Sequence, residues 1–120
     1  PDPERWASFY AEDAVIEDFG SGREGKRIEG RKAIVAWFTV FKVSWPDSTY
    51  KTLRFVTEGS TVVWEWRWEG TQVGEFLDAK GAGRKLNLHG VTIWDIKDGK
   101  IQHEVTNYNY SMLLQQLGKE

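Results

Sequence analysis

Two histidines and one acid pair are the side chains in this sequence best suited to proton transfer. His89 and His103 lie on separate predicted strands, and either could serve as a base, a proton shuttle or a metal ligand. Neither has a spaced carboxylate pattern beside it, so the sequence predicts no metal site. We favour structural or surface roles for both histidines, with His89 as the better functional candidate. In the adjacent acids Glu17 and Asp18, strand alternation allows only one carboxylate to face a given side.

The tryptophans are the strongest physical signal. The chain has seven, and Trp64, Trp66 and Trp68 alternate with charged residues, which places three indoles on one face of a strand. Side chains of this size seldom close-pack without residual space, so we expect at least two of the indoles to line a pocket. The alternative is a closed aromatic core under a helix, which would account for some of them.

Composition narrows the class of protein. At 120 residues the chain suits one domain, residues 1–120, and hydrophobic (40%) and charged (28%) fractions are typical of a soluble globular protein. The formal charge of −2 offers no basic excess for nucleic acid. The chain has no cysteine, and its longest near-apolar run, residues 33–41, is too short to cross a membrane. No signal-peptide pattern is visible, so we expect a cytoplasmic protein without a membrane partner.

Hydrophobic periodicity predicts the elements that position these residues. Residues 20–30 are expected to form a solvated, Gly-rich loop that holds several basic side chains, and residues 70–83 are irregular, with a short strand around 73–77. The basic residues in and beside that loop are Arg23, Lys26, Arg27 and Arg31. The predicted helices cover residues 3–10, 31–42 and 110–117, and the predicted strands cover 14–19, 49–57, 61–69, 85–96 and 101–108.

This order of elements predicts an α+β fold in which helices pack on one face of a curved antiparallel sheet. The strand 85–96 carries apolar side chains at both parities, with Leu86, Leu88 and Trp94 on one face and Val91 and Ile93 on the other. A strand that is apolar on both faces predicts that the outer face is also covered, so we expect a homodimer through that face.

Four short motifs carry a resemblance to a known superfamily. Residues 8–19 (SFYAEDAVIEDF) and 30–34 (GRKAI) resemble the start of NTF2-like cone proteins. Residues 98–101 (DGKI) and 113–118 (LLQQLG) resemble the SnoaL-like polyketide cyclase branch. The segment around Asp18 also resembles ketosteroid isomerase. Together the motifs extend over nearly the whole chain.

The resemblance implies a cone, in which a bent sheet and its helices surround a deep apolar pocket, usually in a dimer. Relatives commonly carry a long N-terminal helix ahead of the matching residues, and most of that helix is expected to be absent here. By this resemblance the indole face of the strand 61–69 is concave. The implied pocket residues are Phe19, Trp37, Trp64, Trp66, Trp68 and Trp94.

The resemblance also implies catalytic positions. Asp18 falls on the general base of the isomerase, which moves a proton next to a carbonyl; the alternative is an Asp that hydrogen-bonds the backbone of the following loop. Counting back from the turn at Asp98, the isomerase's oxyanion acid falls near Thr92, whose hydroxyl is a weaker donor. The cyclase's catalytic Asp falls on Asn109, whose amide cannot act as a base, and a polar strand end leading to a helix cap is the simpler interpretation.

These positions lead to three functional hypotheses. The first is a cofactor-independent enzyme that isomerises or cyclises a hydrophobic carbonyl compound, with Asp18 as base and Asn109, Thr92 or His89 orienting the substrate. The second is a binding protein for a hydrophobic small molecule, without chemistry. The third is a protein-interaction module with a closed cone. Fold alone does not choose among them.

Overall fold

The computed structural model describes residues 2–22 and 24–118. Within these residues the chain forms three helices and six strands. The apolar residues of the longest helix recur at helical spacing. In chain order the elements are α1 (Pro3–Ala7), β1 (Tyr10–Asp18), β2 (Lys26–Glu29), α2 (Arg31–Ser44), β3 (Thr49–Glu58), β4 (Thr61–Thr71), β5 (Lys85–Lys97), β6 (Lys100–Tyr108) and α3 (Tyr110–Gln116).

The six strands form one curved, unclosed sheet in the order β2-β1-β6-β5-β4-β3. Strands β3 to β6 are an antiparallel meander, and β2 pairs antiparallel with β1. The α+β fold class is therefore confirmed. One pairing differs from an all-antiparallel sheet, because β1 lies parallel to β6. This pairing places the first strand beside the last one.

Three local predictions need correction. The loop predicted over residues 20–30 contains β2, whose pairing with β1 is decided by tertiary contact, since its sequence offers a single apolar residue, Ile28. Arg23, assigned to that loop, lies outside the described residues.

The short strand predicted around 73–77 is absent; one isolated bridge joins Phe76 to Ala79, and positive φ angles at Leu77 and Asp78 prevent extended pairing. The first helix ends at Ala7 rather than at residue 10, and β1 starts at Tyr10.

The helices pack on the concave face of the sheet. Residue Ile34 of α2 is fully buried, and Trp37, Phe38 and Phe41 are partly buried against two hydrophobic clusters. The first cluster centres on the indoles of β4 and on Leu113 of α3. None of the described helices is long and apolar enough to cross a membrane.

The convex face of the sheet is only partly apolar. Val63, Ile93 and Val105 form one row across β4, β5 and β6, and each is half-buried. Beside this row the Glu65 carboxylate lies 2.7 Å from Nε2 of His89 and 3.7 Å from Nε of Arg54. On this face of β5 Val91 and Ile93 are half-buried and the other residues are exposed, so the strand is apolar on both faces only at its centre.

Candidate functional site

The concave face holds one aromatic cleft, with a cavity volume of about 150 Å³. We use this name for the space between α1, α2 and the inner face of the sheet. All seven tryptophans line it, including Trp6 and Trp45, which the sequence analysis did not assign to the pocket. The rings of Trp64 and Trp94 stack with centroids 5.4 Å apart. Of the six predicted pocket residues, five lie in this wall: Trp37, Trp64, Trp66, Trp68 and Trp94.

Asp18 lies at the end of β1 and faces the aromatic cleft, with only 4% of its surface exposed. Its Oδ1 accepts hydrogen bonds from the backbone N–H groups of Gly20 and Ser21, each at 2.9 Å. Its Oδ2 lies 3.4 Å from the Tyr108 hydroxyl, a long contact. Burial raises the pKa of this carboxyl, and the hydrogen bonds offset part of that rise. Asp18 therefore combines a fixed oxygen with a second oxygen directed at the cleft.

Glu104 of β6 is a second buried carboxylate in the same cleft, and the sequence analysis did not select it. Its Oε1 accepts hydrogen bonds from the Tyr10 hydroxyl and, at 2.8 Å, from the indole N–H of Trp94. Its Oε2 accepts a hydrogen bond from the Thr106 hydroxyl at 2.9 Å. Burial raises the pKa of Glu104, and these three donors lower it in part.

Thr92 lies in the aromatic cleft beside this cluster and is almost fully buried. Its hydroxyl accepts a hydrogen bond from the indole N–H of Trp66 at 3.0 Å. It also lies 2.8 Å from the hydroxyl of Thr106. Trp66, Thr92, Thr106 and Glu104 thus form a continuous chain of hydrogen bonds, which we call the hydroxyl chain.

Two tyrosine hydroxyls stand beside the two carboxylates. Tyr10 bonds to Glu104, and Tyr108 contacts both Ser21 and Asp18. Burial, the larger cause, raises the pKa of each phenol well above its ordinary value, and the negative charge of the neighbouring carboxylate raises it further: Glu104 for Tyr10 and Asp18 for Tyr108. Both side chains therefore remain protonated and act as hydrogen-bond donors.

The predicted residues Phe19 and Asn109 lie outside the cleft. Phe19 is 44% exposed, and its ring packs beside Gly25 in the loop that follows β1. Asn109 is the N-cap of α3, where its side-chain oxygen accepts the backbone N–H of Met112 at 3.0 Å. The simpler interpretation of Asn109, a polar strand end that caps a helix, matches this geometry.

Both histidines lie on the convex face, away from the aromatic cleft. His89 contacts Glu65, and His103 lies between Glu17 and Asp95, at 2.7 Å and 3.4 Å. Glu17 therefore faces away from Asp18, as strand alternation predicts. Among the described residues, no group of three or more His, Asp or Glu side chains is arranged to hold a metal ion.

A β-bulge explains why the sequence analysis missed Glu104. Continuing the register of the Asp98-Gly99 turn without interruption would pair Trp94 with His103. The register shifts between Asp95 and Ile96, so Trp94 pairs with Glu104 instead. A shift of one residue exchanges the two faces of a strand, which brings the acid into the cleft and sends the histidine outward.

Comparison with known proteins agrees with this architecture. The family model for SnoaL-like polyketide cyclases matches residues 1–117. A search of curated proteins finds no match. Solved structures align over nearly the whole chain at sequence identities between 19% and 24% for the three described next, so the likeness shows the shared fold.

Three of those structures illustrate the likeness. A candidate SnoaL-like polyketide cyclase from Jannaschia sp. CCS1 has 19% identity and a TM-score of 0.86, covering 98% of this chain and 79% of its own. A protein from Catenulispora acidiphila with a ketosteroid isomerase-like fold, bound to trimethylamine, has 19% identity, a TM-score of 0.81 and coverage of 99% and 84%. IdmH from Streptomyces antibioticus, a candidate polyketide cyclase, has 24% identity, a TM-score of 0.72 and coverage of 92% and 83%.

Proposed function

The chain belongs to the SnoaL-like polyketide cyclase family, and from this premise we propose that it isomerises or cyclises a hydrophobic carbonyl compound in the aromatic cleft, without a cofactor. Asp18 is the general base of this proposal. The observation that carries it is the geometry of Asp18: a buried carboxylate in an apolar wall, with one oxygen fixed by two backbone amides and the other facing the cleft.

The proposed step is a proton transfer next to a carbonyl. The ionised Asp18 removes a proton from the carbon beside the carbonyl, and the electron pair of that C–H bond forms an enolate. In an isomerisation the resulting carboxylic acid returns the proton to another carbon of the conjugated system. In a cyclisation the enolate carbon attacks a second carbonyl carbon, and the new alkoxide takes up the proton. A raised pKa makes Asp18 a stronger base than an exposed carboxylate.

The test is Asp18→Asn, assayed for turnover on aromatic polyketide-like ketones and conjugated steroid ketones. The amide preserves the acceptor for Gly20 and Ser21 but cannot take a proton, so we expect turnover to fall by about 10²-fold or more. The matched control is Asp13→Asn, which changes an exposed acid on the same strand and should leave turnover unchanged. An unchanged rate for Asp18→Asn on a substrate that the protein converts would remove Asp18 from the mechanism.

A binding protein without chemistry is the second candidate function. It is supported by two predicted orienting residues, since Asn109 caps α3 outside the cleft and the Thr92 hydroxyl is already bonded to Trp66 and Thr106. Tryptophan fluorescence separates the candidates, because seven indoles line the cleft. Saturable quenching by a ketone that is recovered unchanged would favour binding alone, whereas conversion of that ketone would favour catalysis.

The homodimer expected from the sequence forms part of the same proposal. The row Val63, Ile93 and Val105 supplies an apolar centre on the convex face. Acid–histidine contacts around Glu65 and His103 flank it and would form a polar rim. Such a dimer leaves the concave face and its cleft free for a ligand.

A further inference from the structure

The direction of the hydroxyl chain depends on whether Glu104 carries a proton. Each threonine hydroxyl has one proton to donate and can accept two hydrogen bonds. Both ends of the chain are constrained: the indole of Trp66 can only donate, and the Glu104 carboxyl is an acceptor when ionised and a donor when protonated. The two threonines between them must adopt whichever direction the ends impose.

When Glu104 is ionised, every proton in the chain is used internally. Thr106 donates to Oε2 of Glu104, so it must accept the proton of Thr92. Thr92 in turn accepts from Trp66. The Thr92 hydroxyl then has no proton left for a ligand in the cleft.

When Glu104 is neutral, the hydrogen bonds of the hydroxyl chain reverse direction. Oε1 already accepts from Tyr10 and from Trp94, an obligate donor, so the added proton binds Oε2. Oε2 then donates a hydrogen bond to the Thr106 hydroxyl, and the Thr106 hydroxyl donates a hydrogen bond to the Thr92 hydroxyl. Thr92 then accepts from both Trp66 and Thr106, and its own proton is free to point into the aromatic cleft that it lines.

We propose that Glu104 is a positioning residue of this site, and that its proton lets Thr92 donate a hydrogen bond to a carbonyl or enolate oxygen in the cleft. The inference rests on the proposed function for the identity of the ligand oxygen. It concerns a donor, whereas the proposed function concerns the base at Asp18. The two carboxylates are diagonal neighbours on parallel strands, since Asp18 pairs with Thr106 and Glu104 pairs with Ile16.

The groups around Glu104 favour its neutral form. The titratable side chains that share its face of the cleft are Tyr10 and Asp18 of β1, Tyr50 of β3 and Tyr108 of β6. The negative charge of Asp18 raises the pKa of Glu104, in the same direction as its burial. Lys42 of α2 is the one cation among the described residues of the cleft wall, and it is exposed rather than paired with Glu104. An ionised Asp18 base beside a neutral Glu104 is thus an electrostatically consistent arrangement.

The direct test requires no ligand: a pH titration of the indole N–H signals by ¹H–¹⁵N NMR. The Trp94 indole contacts Glu104 directly, and the Trp66 indole is linked to it only through Thr92 and Thr106. We expect both signals to titrate with one shared midpoint in the unmodified protein. In Glu104→Gln both titrations should be lost, because the amide permanently donates to Thr106.

Thr106→Val distinguishes the hydroxyl chain from a field effect through space. It removes the link between Glu104 and Thr92 but keeps the side-chain shape, so Trp94 should still titrate and Trp66 should not. Dispersed signals from the other indoles verify that each variant is folded. Thr92→Ser, which keeps a hydroxyl, should preserve the Trp66 titration, and Asp18→Asn should preserve the titration of both signals.

Three results would overturn the proposal. The first is a Trp94 signal that does not titrate, because Glu104 would then not change its protonation in the folded protein. The second is a Trp66 titration that persists unchanged in Thr106→Val. The third is loss of both titrations in Asp18→Asn, which would assign them to Asp18.

The ligand part of the proposal is tested with 2-acetonaphthone, an apolar aromatic ketone, through its carbonyl stretching frequency in the bound state. Thr92 donates at every pH in Glu104→Gln, so the bound ketone should have a lower frequency in this variant than in Glu104→Gln/Thr92→Val, which has no hydroxyl at residue 92. Equal frequencies in the two variants would overturn the donor role. Absence of binding to every variant would overturn the proposed carbonyl site, and the indole titrations would still decide the hydroxyl chain.

Discussion

Asp18 and Glu104 differ in how many of their oxygens are occupied. One oxygen of Asp18 accepts from two backbone amides, and the other faces the cleft at 3.4 Å from the Tyr108 hydroxyl. Both oxygens of Glu104 are occupied by side-chain donors. Because a base must reach the proton that it removes, the geometry supports Asp18 as the reacting carboxylate and Glu104 as the one that organises its neighbours.

The raised pKa of Glu104 makes a prediction about stability. A carboxyl whose pKa is higher in the folded than in the unfolded chain stabilises the fold at low pH, and this contribution is lost as pH rises through the folded-state pKa. Glu104→Gln removes that loss. We therefore expect the stability of the variant relative to the unmodified protein, measured as the difference in their free energies of unfolding, to be higher at pH 8 than at pH 4.

Urea unfolding at the two pH values measures this difference. Glu12→Gln is the matched control, because the Glu12 side chain is 88% exposed, and the change with pH should be larger for Glu104→Gln than for this control. A relative stability of Glu104→Gln that stays constant or falls as pH rises would contradict the prediction.

Gly90 makes a steric prediction at the same scale. A Cβ at this position would overlap the six-membered ring of Trp66 and lie 2.9 Å from the carbonyl oxygen of Asn107. We expect Gly90→Ala to lower the free energy of unfolding by about 1–3 kcal/mol and to weaken ketone binding, because the indole must move. Gly22→Ala, where a Cβ meets nothing closer than 3.9 Å, should change neither quantity. Equal unfolding midpoints for both variants would contradict this account.

At the scale of elements, α3 is capped at its start and hydrogen-bonded to the sheet at its end. Asn109 caps its first turn, and Gln116 exchanges two hydrogen bonds with the backbone of Asn87 on β5, at 2.8 Å and 2.9 Å. Between them Leu113 is buried and reaches the aromatic cleft. The helix therefore closes one end of the site without supplying a polar group to it.

Loss of the α3 cap is a test of the role of Asn109. Asn109→Ala leaves the N–H of Met112 without its side-chain acceptor, so we expect a loss of about 1 kcal/mol in the free energy of unfolding. Asn109→Asp keeps an acceptor and should keep the stability. Turnover per folded molecule should be equal in both variants; a selective loss of turnover in Asn109→Ala would restore the orienting role that the family resemblance implies.

The helices and strands also differ in how well the sequence predicts them. The spacing of Ile34, Trp37, Phe38 and Phe41 predicts α2, and the alternation around Trp66 predicts β4, because both patterns reflect burial of one face. The four residues of β2 carry no such pattern. The bulge between Asp95 and Ile96 has no sequence signal, and it decides whether His103 or Glu104 enters the cleft. The indole wall was therefore predictable from side-chain pattern, whereas the polar cluster was not.

At the scale of the whole molecule, the convex face gives a prediction about assembly. A charge in the centre of the row formed by Val63, Ile93 and Val105 would be desolvated in the proposed dimer. We therefore expect the unmodified protein to sediment as a dimer and Ile93→Lys to sediment as a monomer. Val43→Lys introduces the same charge at an exposed position of α2 and should leave the dimer intact. Sedimentation velocity measures both, and a monomeric unmodified protein would contradict the proposed interface.

The parallel pairing of β1 with β6 has a consequence for synthesis on the ribosome. Asp18 stands beside Thr106, so two parts of one site are separated by most of the polypeptide. Strands β3 to β5 can pair locally as they leave the exit tunnel, but β1 has no parallel neighbour until β6 emerges. The nascent chain must therefore keep its first strand unpaired on that edge until β6 has left the tunnel, and the acid cluster can assemble only after that.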